Sequence, residues 1–419
     1  MQRLPGFRDF YPEPLPTDDV WSADARTWLF NHWRETARRY GFREYDGPPL
    51  EPLELFTLKS GEEIVGQLYN FVDKGERAVA LRPEMTPTLA RLVVDAQRHY
   101  KKPFKWFAIP QLFRYEKQQK GRLREHFQFN ADIIGEANPG IDAELIALMI
   151  DSLRATGLTA EDFVIRLSSR NAWQQFFEQH GGKAEQAYAF YQAVDKLERE
   201  QPDVSAKKFA EVGIALDAVT NFIQSGQPTE ELRAVIDQLA ARGLGEFVKV
   251  DYHIIRGLAY YTGVVFEAFD RKGEFRAIAG GGRYDNLVKL TSGGKVDLPA
   301  IGFGMGDVVL TNLLQERGKL PVFTAGIDVY VLLEDEAFRG ESLKVIQQLR
   351  EAGRAVEFSP GLLKGDKQFK RALELKAKFT LRVERADNGS LNCRVKNLQT
   401  REESSLADAA VVDWARALC

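Results

Sequence analysis

The chain has 419 residues, of which 44% are hydrophobic and 28% are charged, as in ordinary globular proteins, and this length predicts more than one domain. The 57 lysines and arginines are balanced by 60 aspartates and glutamates, so the net charge of -3 gives no support for a nucleic-acid partner. Two cysteines exclude a disulfide framework or a cysteine-rich zinc site, and no apolar run is long enough to cross a membrane.

The chain begins with a proline-rich peptide, PGFRDFYP, which lacks the apolar core of a secretory signal. Apolar residues at helical spacing predict a helix from about Val20 to Tyr40, and Gly41 is the glycine expected to end it. The next segment carries Pro48 and Glu51 in a P-x-x-E pattern. Considered alone, Pro48 is most simply a turn proline.

A strand and a helix are predicted to meet at Arg82-Pro83-Glu84. The helix is expected to begin at Thr86, with Thr86 as the N-cap and Pro87 in the first helical position. Glu84 and Thr86 then stand at a strand's end, where a carboxylate and a hydroxyl can satisfy a buried cation. A helix cap without a ligand is an equally simple interpretation.

The stretch FRYEKQQKGRLREHFQFNADIIG, which begins at Phe113, is predicted to form two antiparallel strands joined by a basic loop. Its second half alternates strictly between apolar and polar residues, as a half-buried strand does. Gln128 and Asp132 therefore project from one face, where a ligand can meet both. Arg114 reaches the same surface from the neighbouring strand.

Cations cluster around this predicted hairpin. Arg114 and Glu116 end its first strand, and the loop contains Lys120, Gly121 and Arg122. Guanidinium groups form paired hydrogen bonds with phosphate oxygens, so the cluster suits a polyphosphate. An amphipathic hairpin with a solvated charged turn is the alternative.

Helical periodicity alone extends from Asn171 to about Glu246, and strands resume near Phe247. The segment RGLAYYTGVVFE follows, with Arg256 inside an apolar stretch beside the hydroxyls of Tyr260 and Tyr261. A buried arginine is costly unless it meets an anion, which is either a ligand or a core carboxylate. The next segment, AGGGRYDNL, lacks the spacing of a phosphate-binding glycine loop, so that interpretation is rejected.

A domain boundary is predicted near Gly318–Pro321. Strands and helices alternate beyond it and end in a helix over Leu406–Leu418, which predicts a compact α/β unit with a mainly parallel or mixed sheet. Lys364, Lys367, Lys370 and Arg371 lie close together in this unit, where they can meet RNA phosphates or form a solvated helix face.

These stretches resemble, in order, the class II aminoacyl-tRNA synthetases in the form found in histidyl-tRNA synthetases. PGFRDFYP is similar to the family's opening peptide, and the pattern at Pro48 and Glu51 resembles motif 1, which in the family builds the homodimer interface. FRYE with GRLREHFQFNADIIG looks like motif 2. RGLAYYTGVVFE is similar to the peptide that marks histidyl enzymes, and AGGGRYDNL follows at the family's usual distance.

The resemblance implies a fold and a domain organisation. Residues 1–322 are expected to form an α+β class II catalytic domain, an antiparallel sheet with flanking helices. A helical insertion at residues 171–246 interrupts it, in the position of the family's insertion that contacts the tRNA acceptor arm. Residues 323–419 are expected to form an α/β anticodon-binding domain.

The resemblance also implies an activity, that of a histidine–tRNA ligase. Such an enzyme activates histidine with ATP to histidyl-adenylate and pyrophosphate, and then transfers the histidyl group to the 3′ end of tRNA(His). Mg²⁺ is expected with the ATP phosphates, and no metal ligand is expected from the protein alone. A cytoplasmic homodimer is the implied form.

Site residues are implied by matching the family's motifs. Arg114 and Arg256 correspond to the two catalytic arginines on opposite sides of the ATP α-phosphate, where they stabilise developing negative charge. The ATP-binding set is Arg114, Glu116, Arg122 and Arg256. The histidine-binding set is Glu84 and Thr86 for the ammonium group, with Gln128, Asp132, Tyr260, Tyr261 and Tyr284.

Two positions depart from the family pattern. Val309 stands where motif 3 usually has an arginine that stacks on adenine, and Ala259 stands where an aspartate is usual. No motif 3 residue is therefore included among the predicted site residues.

The alternative function is that of a non-catalytic paralogue, the regulatory subunit of ATP phosphoribosyltransferase, which lacks the C-terminal anticodon-type domain. The presence of residues 325–419, of both Arg114 and Arg256, and of the basic loop favours the ligase. A synthetase for another amino acid would leave the match to RGLAYYTG unexplained.

Overall fold

The computed structural model describes residues 2–12, 21–60, 62–115, 121, 123–198, 200–255, 261–323, 326–386 and 389–418. The chain divides into two compact units, Met1–Pro321 and Val322–Cys419. Within the described part of the chain, none of the helices combines the length and apolar character that a bilayer crossing requires.

The first unit is built on a large sheet. Its strands are β1 (Arg43–Glu44), β2 (Leu50–Pro52), β3 (Asn70–Val72), β4 (Ala78–Leu81), β5 (Phe104–Ala108), β6 (Gln111–Phe113), β7 (Glu125–Ile134), β8 (Phe163–Ser169), β9 (Val248–Val250), β10 (Val264–Asp270), β11 (Ala279–Arg283) and β12 (Ala300–Gly306). The large sheet has the order β1-β5-β7-β12-β11-β10-β8-β9, with β6 also paired to β7, and β2, β4 and β3 form a small separate sheet.

Helices flank the large sheet. They are α1 (Ala23–Arg39), α2 (Glu54–Ser60), α3 (Thr86–Ala96), α4 (Pro139–Arg154), α5 (Arg170–Gln179), α6 (Ala187–Lys196), α7 (Pro202–Glu211), α8 (Leu216–Ser225), α9 (Glu230–Ala241), α10 (Leu287–Thr291) and α11 (Asp307–Glu316). Helices α5 to α9 follow one another between β8 and β9. From β5 to β8 the sheet is antiparallel, which confirms the expected α+β architecture.

Strand β7 has two chemically different faces, as its alternation predicted. Phe129, Ala131 and Ile133 are fully buried in the main hydrophobic core, with α4 packed in the same core. The opposite face presents Gln128, Asn130 and Asp132 to a cavity. The antiparallel pairing of β6 with β7 confirms the predicted hairpin.

Two boundaries near the N-terminus differ in detail from the prediction. Helix α1 begins three residues later than expected, at Ala23, because the Ser22 hydroxyl accepts a hydrogen bond of 3.1 Å from the amide of Ala25. Thr86 is not an N-cap as predicted: the cap position is Met85, and Thr86 is the first residue of α3. Thr86 lines the cavity.

The second unit is a mixed sheet with helices. Its elements are β13 (Val329–Leu332), α12 (Arg339–Glu351), β14 (Val356–Phe358), α13 (Gly365–Glu374), β15 (Phe379–Arg385), β16 (Leu391–Asn397), β17 (Glu403–Ala407) and α14 (Val411–Ala417). β14, β13 and β15 are parallel, whereas β15, β16 and β17 are antiparallel. The terminal helix is shorter than predicted, because β17 occupies the start of the expected helical segment.

Candidate active site

A cavity of about 640 Å³ opens on the polar face of the large sheet. Seven of the sequence-predicted site residues line it together: Glu84, Thr86, Arg114, Gln128, Asp132, Tyr261 and Tyr284. The predicted residues Glu116, Arg122, Arg256 and Tyr260, and the variant position Ala259, lie outside the described residues. The part of the prediction that the structure describes therefore converges on one place.

Asp132 is the most deeply buried acid of this cavity, with 4% of its surface exposed. The hydroxyl of Tyr284 donates a hydrogen bond of 2.5 Å to its Oδ1. Burial raises the pKa of Asp132 to about 7, because a carboxylate loses its hydration, and the Tyr284 hydrogen bond only partly opposes that rise. The pair presents a buried acceptor to the cavity, suited to a neutral or cationic N–H donor.

Glycines of β12 make room for the polar side chains of β7. Gly302 pairs with Asp132 across the strands, and a Cβ at Gly302 would collide with Asp132 Oδ1. A Cβ at Gly304 would lie 2.6 Å from the side-chain amide carbon of Gln128. Because Gly302 and Gly304 have no side chains, Gln128 and Asp132 can lie against β12.

Arg114 is held beside the strand end that carries Glu84. Its Nε donates a hydrogen bond of 3.0 Å to the carbonyl of Pro83, and its backbone amide donates to the carbonyl of Arg124 across the hairpin. A guanidinium and a carboxylate from adjacent segments thus face one cavity, as needed for a ligand with both charges.

The first turn of α11 closes another part of the cavity, through Val308 and Val309. Gly121 has a φ of +77°, and a Cβ there would be 3.4 Å from Val309 Cγ2. Gly121 of the basic loop therefore packs directly on Val309, the position that departs from motif 3. This wall is apolar, and residues of the motif 3 segment that were not among the predicted site residues line the cavity here.

Other lining residues were not predicted as site residues. Asn130 lies on β7 between Gln128 and Asp132, Glu267 lies on β10, and Arg276 precedes β11. The alternation of β7 was a usable signal for Asn130. Glu267 and Arg276 carried no such signal, because their position depends on which strands are neighbours in the sheet.

A buried ion pair supports the segment that carries Tyr284. Arg283 donates a hydrogen bond of 3.1 Å from Nε to Asp142 Oδ2 and bonds to the carbonyls of Glu136 and Asn138. Arg283 thereby fixes β11 to the start of α4. Burial raises the pKa of Asp142 to about 7 despite the nearby guanidinium. The cost of removing the carboxylate from water therefore offsets much of the attraction between the two charges.

The opening peptide is joined to the same region through Arg8. Its guanidinium lies 2.7 Å from Glu125 Oε1 and 2.8 Å from Asp307 Oδ2, and all three side chains are almost completely buried. Asp307 Oδ1 also accepts from the amide of Phe127, at 3.0 Å. One arginine therefore connects the N-terminal peptide, the start of β7 and the start of α11.

Solved structures with similar folds cover nearly the whole chain. Histidyl-tRNA synthetase from Nostoc sp. PCC 7120 has a TM-score of 0.77 at 24% sequence identity, covering 98% of this chain and 97% of that one. The S. aureus enzyme without ligand has a TM-score of 0.71 at 25% identity, covering 96% and 99%. These similarities confirm the expected class II synthetase fold.

Curated relatives and a family model give the assignment. The chain is 45% identical to a histidine–tRNA ligase of Opitutus terrae, over 97% of this chain and 95% of the relative. It is 38% identical to the chloroplastic/mitochondrial histidine–tRNA ligase of Arabidopsis thaliana, over 96% and 85%. A model described as histidyl-tRNA synthetase matches residues 17–306. The chain belongs to the histidyl-tRNA synthetase family.

Proposed function

We propose that the cavity is where this chain performs the two steps of histidine–tRNA ligation, the activity of its family. In the first step, a carboxylate oxygen of histidine attacks the α-phosphorus of ATP, and the bond to the pyrophosphate leaving group breaks. In the second, a ribose hydroxyl of the terminal adenosine of tRNA attacks the activated carbonyl, and AMP leaves. The single observation that carries this proposal is the convergence of the seven described site residues on one cavity.

Histidine is placed by opposite charges and by the buried acceptor. Glu84 and Thr86 hold the ammonium group, while Gln128, Asp132 and Tyr261 are assigned to the imidazole, together with Tyr260 by its match to the family's motif. An amino acid without an imidazole N–H would leave Asp132 and its partner Tyr284 without a ligand donor. Because buried polar groups would be left without hydrogen-bond partners, the site should discriminate strongly against such amino acids in favour of histidine.

Positioning and charge neutralisation account for the chemistry, since no protein nucleophile is required. Arg114 approaches the α-phosphate from the side of Pro83 and Glu84, and Arg256 completes the pair as the second catalytic residue. Glu116 and Arg122 contact ATP from the basic loop. The apolar wall at Val309 takes the place of the adenine-stacking arginine, so the base is held by packing there.

Mg²⁺ is proposed to enter with the ATP phosphates. In the described residues, no cluster of three or more histidine, cysteine or acidic side chains is arranged to hold a metal ion. Mg²⁺ usually keeps several waters and needs only one or two carboxylates besides the phosphates. Glu267, which lines the cavity and has no role in holding histidine, is one carboxylate that would serve this purpose. The ion would neutralise phosphate charge when bound.

Recognition of tRNA(His) is assigned mainly to the second unit. Residues 171–246 contain seven lysines and arginines against 12 aspartates and glutamates, so a contact with the acceptor arm there must be local. Residues 323–419 are proposed to bind the anticodon. Lys364, Lys367 and Lys370 are exposed at or near α13, and replacing all three by alanine should raise the KM for tRNA while pyrophosphate exchange is unchanged.

A homodimer is proposed through the small β2-β4-β3 sheet. Leu50 on β2 and Phe71 and Val72 on β3, the two outer strands of this sheet, are exposed to 38%, 50% and 68%, which is unusual for apolar side chains. Glu51 of the motif 1 pattern is buried and paired with Arg91 at 2.6 Å, so it stabilises the sheet itself. Val72→Asp should convert the dimer to a monomer in sedimentation experiments. The proposed location is the cytoplasm.

The alternative regulatory function is less supported. A structure titled ATP phosphoribosyltransferase regulatory subunit/histidyl-tRNA synthetase from Bacillus halodurans C is similar with a TM-score of 0.71, but at 20% identity this likeness concerns the fold alone. Charging of tRNA(His) with labelled histidine decides between the two functions. A ligase forms histidyl-tRNA in proportion to enzyme, whereas a regulatory subunit forms none.

A further inference from the structure

A hydrogen bond between Ser169 and Glu231 links the start of α5 to the start of α9, the first and last of the five helices between β8 and β9. Ser169, the last residue of β8, accepts from the amide of Ala172 and so caps α5. Its hydroxyl also donates a hydrogen bond of 2.8 Å to Oε2 of Glu231, in the first turn of α9. Ser169 is completely buried, so this bond ties the first and last of the five helices together away from water.

The other oxygen of Glu231 stands against the backbone of Gly263. A Cβ at Gly263 would lie 3.0 Å from Glu231 Oε1 and 3.3 Å from Arg283 Cδ, so only glycine fits without displacing one of them. The amide of Arg170, the first residue of α5, donates a hydrogen bond of 2.9 Å to the carbonyl of Gly263. The base of the five helices therefore packs on the segment that follows Tyr261.

The opposite side of this segment is held by the residues around Tyr284. The amide of Thr262 donates to the carbonyl of Arg283 at 2.9 Å, and its hydroxyl donates to Asp285 Oδ2 at 3.0 Å. Thr262, between Tyr261 and Gly263, is thus fixed through its amide and its hydroxyl. A Cβ at Gly282 would lie 2.9 Å from a ring carbon of Tyr261, so the ring rests directly on β11.

We propose that Glu231 is a positioning residue for histidine binding: through Ser169 and Gly263 it sets the place of Tyr261 in the cavity. The inference rests on the proposed function, because it assumes that histidine meets Tyr261. Glu231 belongs to the five helices and not to any of the motifs, and it does not line the cavity. Its effect must therefore pass through the segment from Tyr261 to Gly263.

The test compares Glu231→Ala, Glu231→Gln and Glu230→Ala in histidine-dependent pyrophosphate exchange. Glu231→Ala removes the acceptor of Ser169 and should raise the KM for histidine about fivefold to tenfold, the effect of one lost buried hydrogen bond. The KM for ATP and kcat should change less than about twofold, on the same reasoning that only Tyr261 is displaced. Glu231→Gln keeps an oxygen acceptor and should restore most of the histidine affinity. Glu230, the exposed neighbour in the same turn, provides the matched control.

Two results would overturn the proposal. One is an unchanged KM for histidine in Glu231→Ala; the other is an equal rise in the KM values for histidine and ATP, which indicates general loosening. If Glu231→Ala does not fold, Ser169→Ala removes the same bond from the other side, together with the cap of α5, and must raise the KM for histidine selectively. Absence of exchange in the unmodified protein would refute the proposed function instead, so the two failures are distinguishable.

Discussion

Replacing Asp132 by asparagine should stabilise the ligand-free protein at neutral and alkaline pH while it weakens histidine binding. The pKa of the buried carboxyl is about 7, against about 3.9 in an unfolded chain. Ionising it in the folded protein therefore costs up to about 4 kcal/mol, at 1.36 kcal/mol for each pKa unit. Asparagine keeps an oxygen acceptor for the Tyr284 hydroxyl but carries no charge.

The direction of the pH dependence follows from this difference. Below about pH 4 the carboxyl is neutral in both states, so it imposes no penalty. Between about pH 4 and 7 the unfolded chain releases the proton more readily than the folded one, and stability is progressively lost. Above about pH 7 the penalty is complete and constant, because the group is ionised in both states.

Urea unfolding of the ligand-free protein at pH 4.5 and pH 8 measures the effect. The free energy of unfolding of Asp132→Asn should exceed that of the unmodified protein at pH 8, and the difference should shrink strongly at pH 4.5. Asp297→Asn, which changes an exposed carboxylate paired with Lys289, should show a much smaller difference at both pH values. A difference for Asp132→Asn that is independent of pH, or a loss of stability at pH 8, would refute the reasoning.

Three further substitutions test the surroundings of the cavity. Arg8→Ala leaves Glu125 and Asp307 buried without their cation and should lower the free energy of unfolding by about 3–5 kcal/mol. Arg3→Ala, which breaks an exposed pair, should lower it by at most about 1 kcal/mol. Similar losses for the two variants in urea unfolding would contradict this expectation. Gly302→Ala drives a Cβ into Asp132 Oδ1 and should raise the KM for histidine more than about tenfold, a loss of about 1.4 kcal/mol or more. Gly306→Ala, whose Cβ meets nothing within 4 Å, should leave that KM unchanged, and equal effects would refute the close-approach argument. Tyr284→Phe removes the donor to Asp132 and should raise the pKa of that carboxyl further, seen as an infrared carboxyl band that titrates at higher pH; an unchanged titration would show that the bond is unimportant.

The sequence was most informative where one strand carries the site. The alternation over Phe127–Asp132 predicts correctly which side chains face the core and which face the cavity, because strand side chains alternate regardless of context. The order of the motifs predicted the family. The apolar residues of α1 at helical spacing, and Gly41 after its end, also predicted that helix correctly.

Contacts between distant segments could not be predicted from the residues alone. Asp132 and Tyr284 are 152 positions apart, and their hydrogen bond depends on the order of β7, β12 and β11 in the sheet. The contact of Glu231 with Ser169 likewise depends on where α9 returns to the sheet. Strand β17 was missed because ESSLA is short and largely exposed, without an apolar alternation to identify it.

Histidine-dependent exchange of pyrophosphate into ATP, measured without tRNA, tests the central claim most directly. The assay compares the unmodified protein with Arg114→Ala and Arg256→Ala, and uses Arg3→Ala as a control for losing an exposed arginine. The account predicts exchange that requires histidine, persists in Arg3→Ala and falls by at least about a hundredfold in Arg114→Ala and Arg256→Ala. A folded, histidine-binding protein that shows no exchange would contradict the account and favour the regulatory alternative.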